Sequence, residues 1–566
     1  MADNKEQARE RRRQIEQVLL DNMIGPHRSQ ICAINEFKHW QVSDVQALFA
    51  LLPPVKDRKL SPHGPESRPP PRGSQRWKEL AMKTAMVGAV DALAVTVSPL
   101  AMWSKTAREE ALPWLVKLNY EAIGSSFFVS CPIELLRQAA QAKMAVCVNR
   151  WGRFSIRSSG YVAISHVWAE TMGLEFQDEK IAQDERGINY AHFSRIISTA
   201  VASSGYEWFW LDLLAVPQIA GNEKEAGMLR ELKTNVVNSL INVYRNAGSV
   251  IILDALTLQL SSDDPCKVAA IFSCGRWLTR MWTYQEVKLA RKAHIATKTG
   301  TIDFEQMVSA LEVRKQQSEE GSRYWHEIHL KFARLLPSDP RGVSLADVAF
   351  CCSDRNTENN IDYARSVFAL LNLEWNSAWD YDAAITHIIK SRPQDAARIA
   401  NLQGMRGLPP PYSWAPQYLA RLTGMIIDGF VATENGLVGD WVTFPVRRVI
   451  RHGENVKETK IIFHMELLNR HGGPFELWTE LPHYWSDKLG HWLEQAVPAG
   501  TARLLCARVP ENLRLDHHPV VMLMVVQGHG ERDSHVEALG TVAGTAEMND
   551  PDITELDGEK LRWLLA

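Results

Sequence analysis

The sequence predicts an α/β fold, a parallel β-sheet flanked by helices, and three observations carry that prediction. Short apolar runs recur in the middle of the chain, at Tyr161–Ser165, Trp208–Val216 and Ser249–Ala255, none longer than nine residues and each rich in aromatic or β-branched types. That length and composition favour buried strands over helices. Between the first two runs, Phe193, Ile196, Ile197, Ala200 and Val201 recur at helical spacing and stop at Gly205; between the second and third, Leu232, Val236, Leu240 and Tyr244 share one helical face. Strands that alternate with helices imply a parallel sheet joined by right-handed crossovers.

Taken in order, residues 1–50 read as helical, with Ile15, Val18, Leu19 and Met23 at helical spacing. Residues 51–76 shift to Pro, Lys, Arg, Ser and Gly, including Pro69, Pro70 and Pro71, and read as a linker. Helical patterns resume over 77–145. The α/β domain spans 146–300, a helical region 301–420, and a β-rich accessory region 421–566, where runs such as Lys460–His464 and Pro519–Val526 are separated by Gly-rich turns. The segment Ala85–Trp103 approaches the length of a membrane span. Its small residues, Asp91 and Pro99 read instead as a buried helix, so no membrane span is expected.

A chain of 566 residues, 45% hydrophobic and 23% charged, has room for more than one core. Its formal net charge of -3 offers no global attraction to nucleic acid or anionic membrane, and no nucleic-acid partner is expected. The basic run Arg9, Arg11, Arg12, Arg13 lies among Glu6, Glu10 and Glu16 and reads as a solvated helix face. Eight scattered cysteines without CxxC spacing read as reduced thiols. The polar start, Met1 to Arg13, has no apolar signal region, and a cytoplasmic location is expected.

Three segments then resemble, in order, the fungal heterokaryon-incompatibility (HET) family. They are Tyr161-Val-Ala-Ile-Ser-His-Val-Trp168, Trp210-Leu-Asp-Leu-Leu-Ala-Val-Pro-Gln218 and Arg276-Trp-Leu-Thr-Arg-Met-Trp-Thr-Tyr-Gln-Glu286-Val-Lys-Leu-Ala290. Val243-Tyr-Arg-Asn-Ala-Gly-Ser-Val falls between the last two. Asp362-Tyr-Ala-Arg-Ser-Val-Phe-Ala-Leu-Leu371 and Tyr412-Ser-Trp-Ala-Pro416 look like stretches that follow such domains. The match covers about Val146–Ala296. Ala169, Ala215 and Pro217 stand where the family usually has Gly, Cys and Asn, so no role of a reactive cysteine carries over. The resemblance implies a TIR-like, flavodoxin-like sheet and a module of self/non-self recognition and programmed cell death, acting with protein partners and by self-assembly.

The same residues carry an argument independent of the family. Ligands of parallel sheets bind outside the carboxyl ends of the strands. There the three predicted strands place Ser165-His166, Asp212 and Asp254. These groups line a binding rim, or Ser165 and Asp212 cap the loops that follow by accepting backbone N–H bonds. Glu286 falls at the flank of a helix face formed by Leu278, Met281, Trp282, Gln285 and Leu289, one turn from Trp282, with Lys288, Arg291 and Lys292 following. A carboxylate there is paired in a salt bridge, for instance with Arg280, or used chemically.

The TIR resemblance implies the second use. It makes Glu286 the candidate catalytic residue of an NAD+ glycohydrolase, stabilising positive charge as the nicotinamide–ribose bond breaks. Ser165, His166, Trp168, Asp212 and Trp282 become the candidate substrate-binding residues, with Trp168 or Trp282 stacking on a base. Glu286 is then expected to open onto a pocket shared with Ser165 and Asp212. NAD+ would be substrate; no cofactor and no metal is expected. A non-catalytic scaffold is the third reading. His326-Glu327-Ile328-His329 lacks zinc-protease spacing, and His517, His518, His529 and His535 have no fixed metal spacing. No Walker A, GxGxxG or GxSxG sequence occurs.

Overall fold

The computed structural model describes residues 2–22, 40–54, 128–168, 187–217, 223–317, 322–337, 342–402, 406–419, 428–452, 460–468, 474–482, 493–506, 520–527, 535–548 and 559–565, less a few positions within them and with isolated residues between. Most of Ala85–Trp103, most of the 51–76 linker, and His517, His518 and His529 lie outside the described residues. The chain forms two units, Met1–Pro340 with Glu374–Ser377, and Arg341–Leu373 with Ala378–Ala566.

The first unit is built on seven strands: β1 (Ala145–Asn149), β2 (Phe154–Arg157), β3 (Val162–His166), β4 (Trp208–Leu211), β5 (Ser249–Leu253), β6 (Ala293–Ala296) and β7 (Thr301–Asp303). Their order in the sheet is β2-β1-β4-β3-β5-β6-β7. The central four, β4-β3-β5-β6, are parallel, and β3 pairs with both β4 and β5 as the alternating pattern predicts. The sheet as a whole is mixed, however. β1, β2 and β7 pair antiparallel. Two tight connections explain this, because a handful of residues can join antiparallel neighbours but cannot make a crossover. In the first, the Asn149 side chain accepts N–H bonds from Trp151 (3.1 Å) and Arg153 (3.0 Å), and Gly152 takes φ +76. In the second, Thr297 and Gly300 bond each other across the turn.

Nine labelled helices belong to this unit: α1 (Ala2–Asn22), α2 (Val42–Phe49), α3 (Ile133–Gln141), α4 (Tyr190–Ser204), α5 (Glu223–Asn246), α6 (Pro265–Ser273), α7 (Trp282–Lys288), α8 (Phe304–Gln317) and α9 (Ser322–Ala333). The side chains of each strand alternate between the two faces of the sheet. On one face Val162, Ile164, Phe209, Leu211 and Ile251 pack under Phe193, Ile196, Ile197 and Ala200 of α4. On the other, Trp210 meets Tyr244 of α5 edge-on, ring centroids 5.2 Å apart. Helices therefore cover both faces, in three layers. A short strand, Phe128–Val129, pairs with Ile188–Asn189 and interrupts the stretch read as helical before Lys143.

The amino-terminal segment joins this unit through aromatic rings: Phe37 stacks on Tyr324 at 5.7 Å and Trp40 meets Trp325 at 5.5 Å. The basic run on α1 is a solvated face, with Arg12 bonded to Glu16 and Arg13 to Glu10. Among the described residues no helix is long and apolar enough to cross a membrane.

The second unit contains α10 (Leu345–Cys351), α11 (Asp362–Phe368), α12 (Tyr381–Ser391) and α13 (Pro393–Ile399), followed by eight strands: β8 (Val431–Thr433), β9 (Gly436–His452), β10 (Lys460–Leu468), β11 (Pro474–Pro482), β12 (Ala502–Cys506), β13 (Val520–Gln527), β14 (His535–Met548) and β15 (Glu559–Leu565). The strand order is β8-β9-β10-β11-β14-β13-β12. The long β9 also pairs with β12 and β15. The apolar run at Lys460–His464 falls in β10, and Val520–Val526 of the second run falls in β13, while Pro519 lies outside the described residues.

Candidate functional site

The chain order of the parallel strands locates the site. β3 comes first and lies in the middle; β4 pairs on one side of it and β5 on the other. The β3-to-β4 crossover uses α4 on one face and the β4-to-β5 crossover uses α5 on the opposite face. The winding direction thus reverses at β3, and in open α/β sheets the crevice at such a reversal, outside the carboxyl ends of the strands, is where ligands bind. Ser165 and His166 close β3 there, Asp212 follows β4 and Asp254 follows β5.

Asp212 is the hub. The second apolar run does not continue as a strand past Leu211; the chain turns into a single helical turn, Asp212–Ala215. The Asp212 carboxylate starts that turn by accepting the Leu213 N–H at 2.7 Å. The same carboxylate bonds His166 Nε2 at 2.8 Å through Oδ1 and accepts Trp168 Nε1–H at 2.6 Å through Oδ2. One carboxylate thus bonds the backbone of its own turn and two side chains of the first segment. The His166 side chain is fully buried and that of Asp212 is 20% exposed. A carboxylate acceptor at Nε2 holds a proton on that nitrogen and orients the ring.

Ser165 is fully buried and accepts the indole N–H of Trp277 at 2.7 Å, so it caps no loop. Asp254, also fully buried, does cap: it accepts N–H bonds from Leu256 and Thr257, both at 3.0 Å, and from the backbone of Trp277. Burial pushes its carboxyl up to about 6, against the lowering effect of those bonds. Gly275 makes this contact possible, since a Cβ there would lie 2.1 Å from Asp254 Oδ2. Asp254 thereby fixes the turn that presents Trp277 to Ser165 and leads into α7.

Glu286 sits on α7 and is only 6% exposed, more deeply buried than the flank position inferred from the helical wheel. The reason is that α7 is enclosed on nearly every side, with Trp282 as its half-buried exception. Lys288, one of the cations that follow at the helix carboxyl end, is also buried and donates to the Arg334 carbonyl at 2.8 Å. Glu286 shares a hydrogen bond with Tyr244 of α5. Burial first, then the nearby charges of Glu286 and Asp212, hold the Tyr244 hydroxyl well above its ordinary pKa, so it stays protonated. The candidate residues therefore form linked groups: His166 and Trp168 with Asp212, Asp212 near Tyr244, Tyr244 with Glu286, and Ser165 with Trp277.

Tyr244 and Trp277 are the residues that pattern reading had not placed in the site. Both were legible as apolar core positions. The missing signal was their polar ends, because a buried Tyr O–H or Trp N–H seeks a partner. Among the described residues no group of three or more His, Cys, Asp or Glu could hold a metal ion. His329 of α9 bonds Glu312 at 3.0 Å. The seven described cysteines are free thiols, and burial pushes Cys131, Cys147 and Cys352 upward, away from nucleophilic thiolate character. Comparison with protein-family models gives no match, and neither the curated proteins nor the solved structures yield one.

Proposed function

We propose that the first unit is a HET-type, TIR-like module of self/non-self recognition that triggers cell death through protein partners and self-assembly in the cytoplasm. One observation carries this reading. The three segments that resemble the HET family, far apart in sequence, supply linked polar groups: His166 and Trp168 from the first and Asp212 from the second at the carboxyl ends of the strands, and from the third Trp277, which reaches Ser165 there, and Glu286, which bonds Tyr244. A purely structural scaffold would have no need to gather these groups at the winding reversal.

A second reading, cleavage of NAD+, is favoured by the setting of Glu286. It is a buried carboxylate beside a protonated tyrosine, one helical turn from the half-buried Trp282. In a dry site a fixed negative charge stabilises a developing oxocarbenium ion far better than it would in water. Trp168 and Trp282 offer faces for the nicotinamide or adenine ring, and Asp212 offers acceptors for ribose hydroxyls.

The test is to follow NAD+ loss with purified protein, with and without a crowding agent that promotes assembly, alongside killing of expressing cells. Glu286→Gln keeps the size and hydrogen-bonding capacity of the side chain. NAD+ consumption should fall about a hundredfold or more, and killing with it, while the melting temperature holds. Undiminished killing by the well-folded variant would leave assembly as the route to death and remove the catalytic reading.

A further inference from the structure

We infer that the opposite end of the same sheet carries an anion-binding pocket that takes a phosphate-bearing small molecule. A pocket of about 430 Å³ is lined by Asn242, Arg245 and Asn246 from the last turns of α5, by Leu289, Ala290 and Arg291 just after α7, and by Pro337. That volume suits a small metabolite. α5 runs back to the amino end of β5, and this pocket shares no residue with the candidate site, although Tyr244 of that site lies on the same turns of α5.

The chemistry of the lining selects the ligand. It has two guanidinium groups, two carboxamides and no carboxylate. Arginine forks match tetrahedral oxyanions through paired N–H donors, and carboxamides can donate to the remaining oxygens. Leu289, Ala290 and Pro337 give an apolar wall for an uncharged body attached to the phosphate. The walls are also fixed by bonds outside the pocket. Lys288 Nζ holds the Arg334 carbonyl at 2.8 Å, anchoring the segment that brings Pro337. The buried Tyr161 hydroxyl donates to the Val243 carbonyl at 2.6 Å, anchoring the end of α5. Arg291 lies near enough to that hydroxyl to lower its pKa, against the larger effect of burial.

A competing role exists for the arginines. α5 and α7 both end beside this pocket, and cations at helix carboxyl ends offset the exposed carbonyls. That role makes a specific difference. Helix-end compensation needs positive charge but no donor geometry and no ligand, whereas an oxyanion site binds saturably and distinguishes anions of equal charge.

The position has a consequence for the rest of the unit. Tyr244 lies between Asn242 and Arg245 on α5, and Glu286 lies on the helix that leads into Leu289. A phosphate held by Arg245 and Arg291 would clamp the two helices that carry the Tyr244–Glu286 pair. The binding inference itself does not rest on the proposed NAD+ chemistry.

The experiment titrates the full chain with inorganic phosphate, pyrophosphate and citrate, at ionic strength held constant with chloride. Heat of binding and thermal shift are read on wild type, Arg291→Gln and Arg245→Gln. Saturable binding of phosphate or pyrophosphate is expected, weakened at least about tenfold in each variant, the scale of one charge-assisted hydrogen bond. Arg291 is exposed, so its variant should fold even if Arg245→Gln does not. Binding to Arg291→Gln as tight as to wild type, or no saturable binding by any phosphate, would overturn the inference. Tighter binding of citrate than of pyrophosphate would overturn the assignment to phosphate.

Discussion

The candidate site of the first unit and the two largest buried arginines of the second use their polar atoms for different ends. In the first, Ser165 meets Trp277, His166 and Trp168 meet Asp212, and Glu286 meets Tyr244, so each bond joins segments separated by tens of residues or more. In the second, two of the largest buried side chains are arginines that close their own helix ends. Arg406 donates to the Ala400 (2.6 Å), Leu402 (3.1 Å) and Gly404 (3.0 Å) carbonyls just past α13, and Arg355 donates to the Cys351 carbonyl at the end of α10. Burial pushes the Arg406 guanidinium down to about 9, which still leaves it charged at neutral pH, and the carbonyls at a helix carboxyl end are suited to that charge. Long-range polar bonds assemble a place where something can be recognised; local ones complete a fold.

The strongest way to break this contrast is to remove the hinge of the long-range set. Trp277 is fully buried, stacks obliquely on Phe272 at 5.2 Å and satisfies Ser165. Trp277→Ala should cost about 3–5 kcal/mol through the cavity alone, and it also strands a buried hydroxyl. Trp210→Ala should cost a similar amount, since Trp210 is 2% exposed against Tyr244. Chemical denaturation checks both. Wild-type stability in either variant would mean that the core relaxes around the loss and that the bond to Ser165 or the packing on Tyr244 is incidental.

A smaller effect is expected from the local set. Arg406→Ala leaves the Ala400, Leu402 and Gly404 carbonyls at a helix end, where water entering the vacated space can replace most of the lost donors, so the net cost should be about 1–3 kcal/mol, that of one buried group left unsatisfied. The loss should be confined to the second unit. Denaturation followed by Trp414 or other second-unit probes should shift, while probes of the first unit, and any NAD+ or phosphate binding by it, stay as in wild type. Equal destabilisation of both units would mean that the contrast drawn between them is not one between independent folding regions.

Much of this was legible in the sequence, and the parts that were not share a cause. The three apolar runs and the helical spacing between them specify the parallel strands β3, β4 and β5, and the inward residues Ile164, Leu211 and Ile252 are all buried. Periodicity reports which face is apolar, so this level of structure is visible one residue at a time. The antiparallel margins were missed because the turns at Asn149–Arg153 and Thr297–Gly300 depend on local side-chain bonds rather than on any apolar period. The short second strand was missed for a related reason: Leu213, Leu214 and Ala215 are as apolar in a helical turn as in a strand, so apolar character does not mark where the strand ends. In the site, His166, Trp168, Asp212 and Glu286 could be nominated by position, but the bonds among them, and the part played by Tyr244 and Trp277, could not. Nothing in the spacing of Tyr244 and Trp277 says which buried polar atom each will meet.

The smallest and most discriminating effect is a pH dependence in which two groups of the first unit oppose each other. Burial raises Asp254 from 3.8 to about 6, so between those values the folded state holds its proton while the unfolded state has lost it. Stability from this group is therefore full below about pH 4 and falls as pH rises through 6, by at most about 3 kcal/mol. His192 on α4, 5% exposed, is lowered from 6.5 to about 4 by burial first and by Arg195 second. There the unfolded state takes the proton first, so stability is full above about pH 6.5 and falls as pH drops through 4, again by about 3 kcal/mol at most. Over pH 4–6 the two slopes have opposite signs and should largely cancel in wild type. Asp254→Asn removes the term that favours acid, and its stability relative to wild type should fall as pH is lowered across that window. His192→Phe removes the term that disfavours acid, and its relative stability should rise over the same interval. Denaturant titrations at half-unit pH steps read both differences directly, because every other titrating group is common to the three proteins. If both variants run parallel to wild type from pH 4 to 6, neither side chain is held in the buried environment described, and Asp254 does not anchor the turn that carries Trp277 to Ser165.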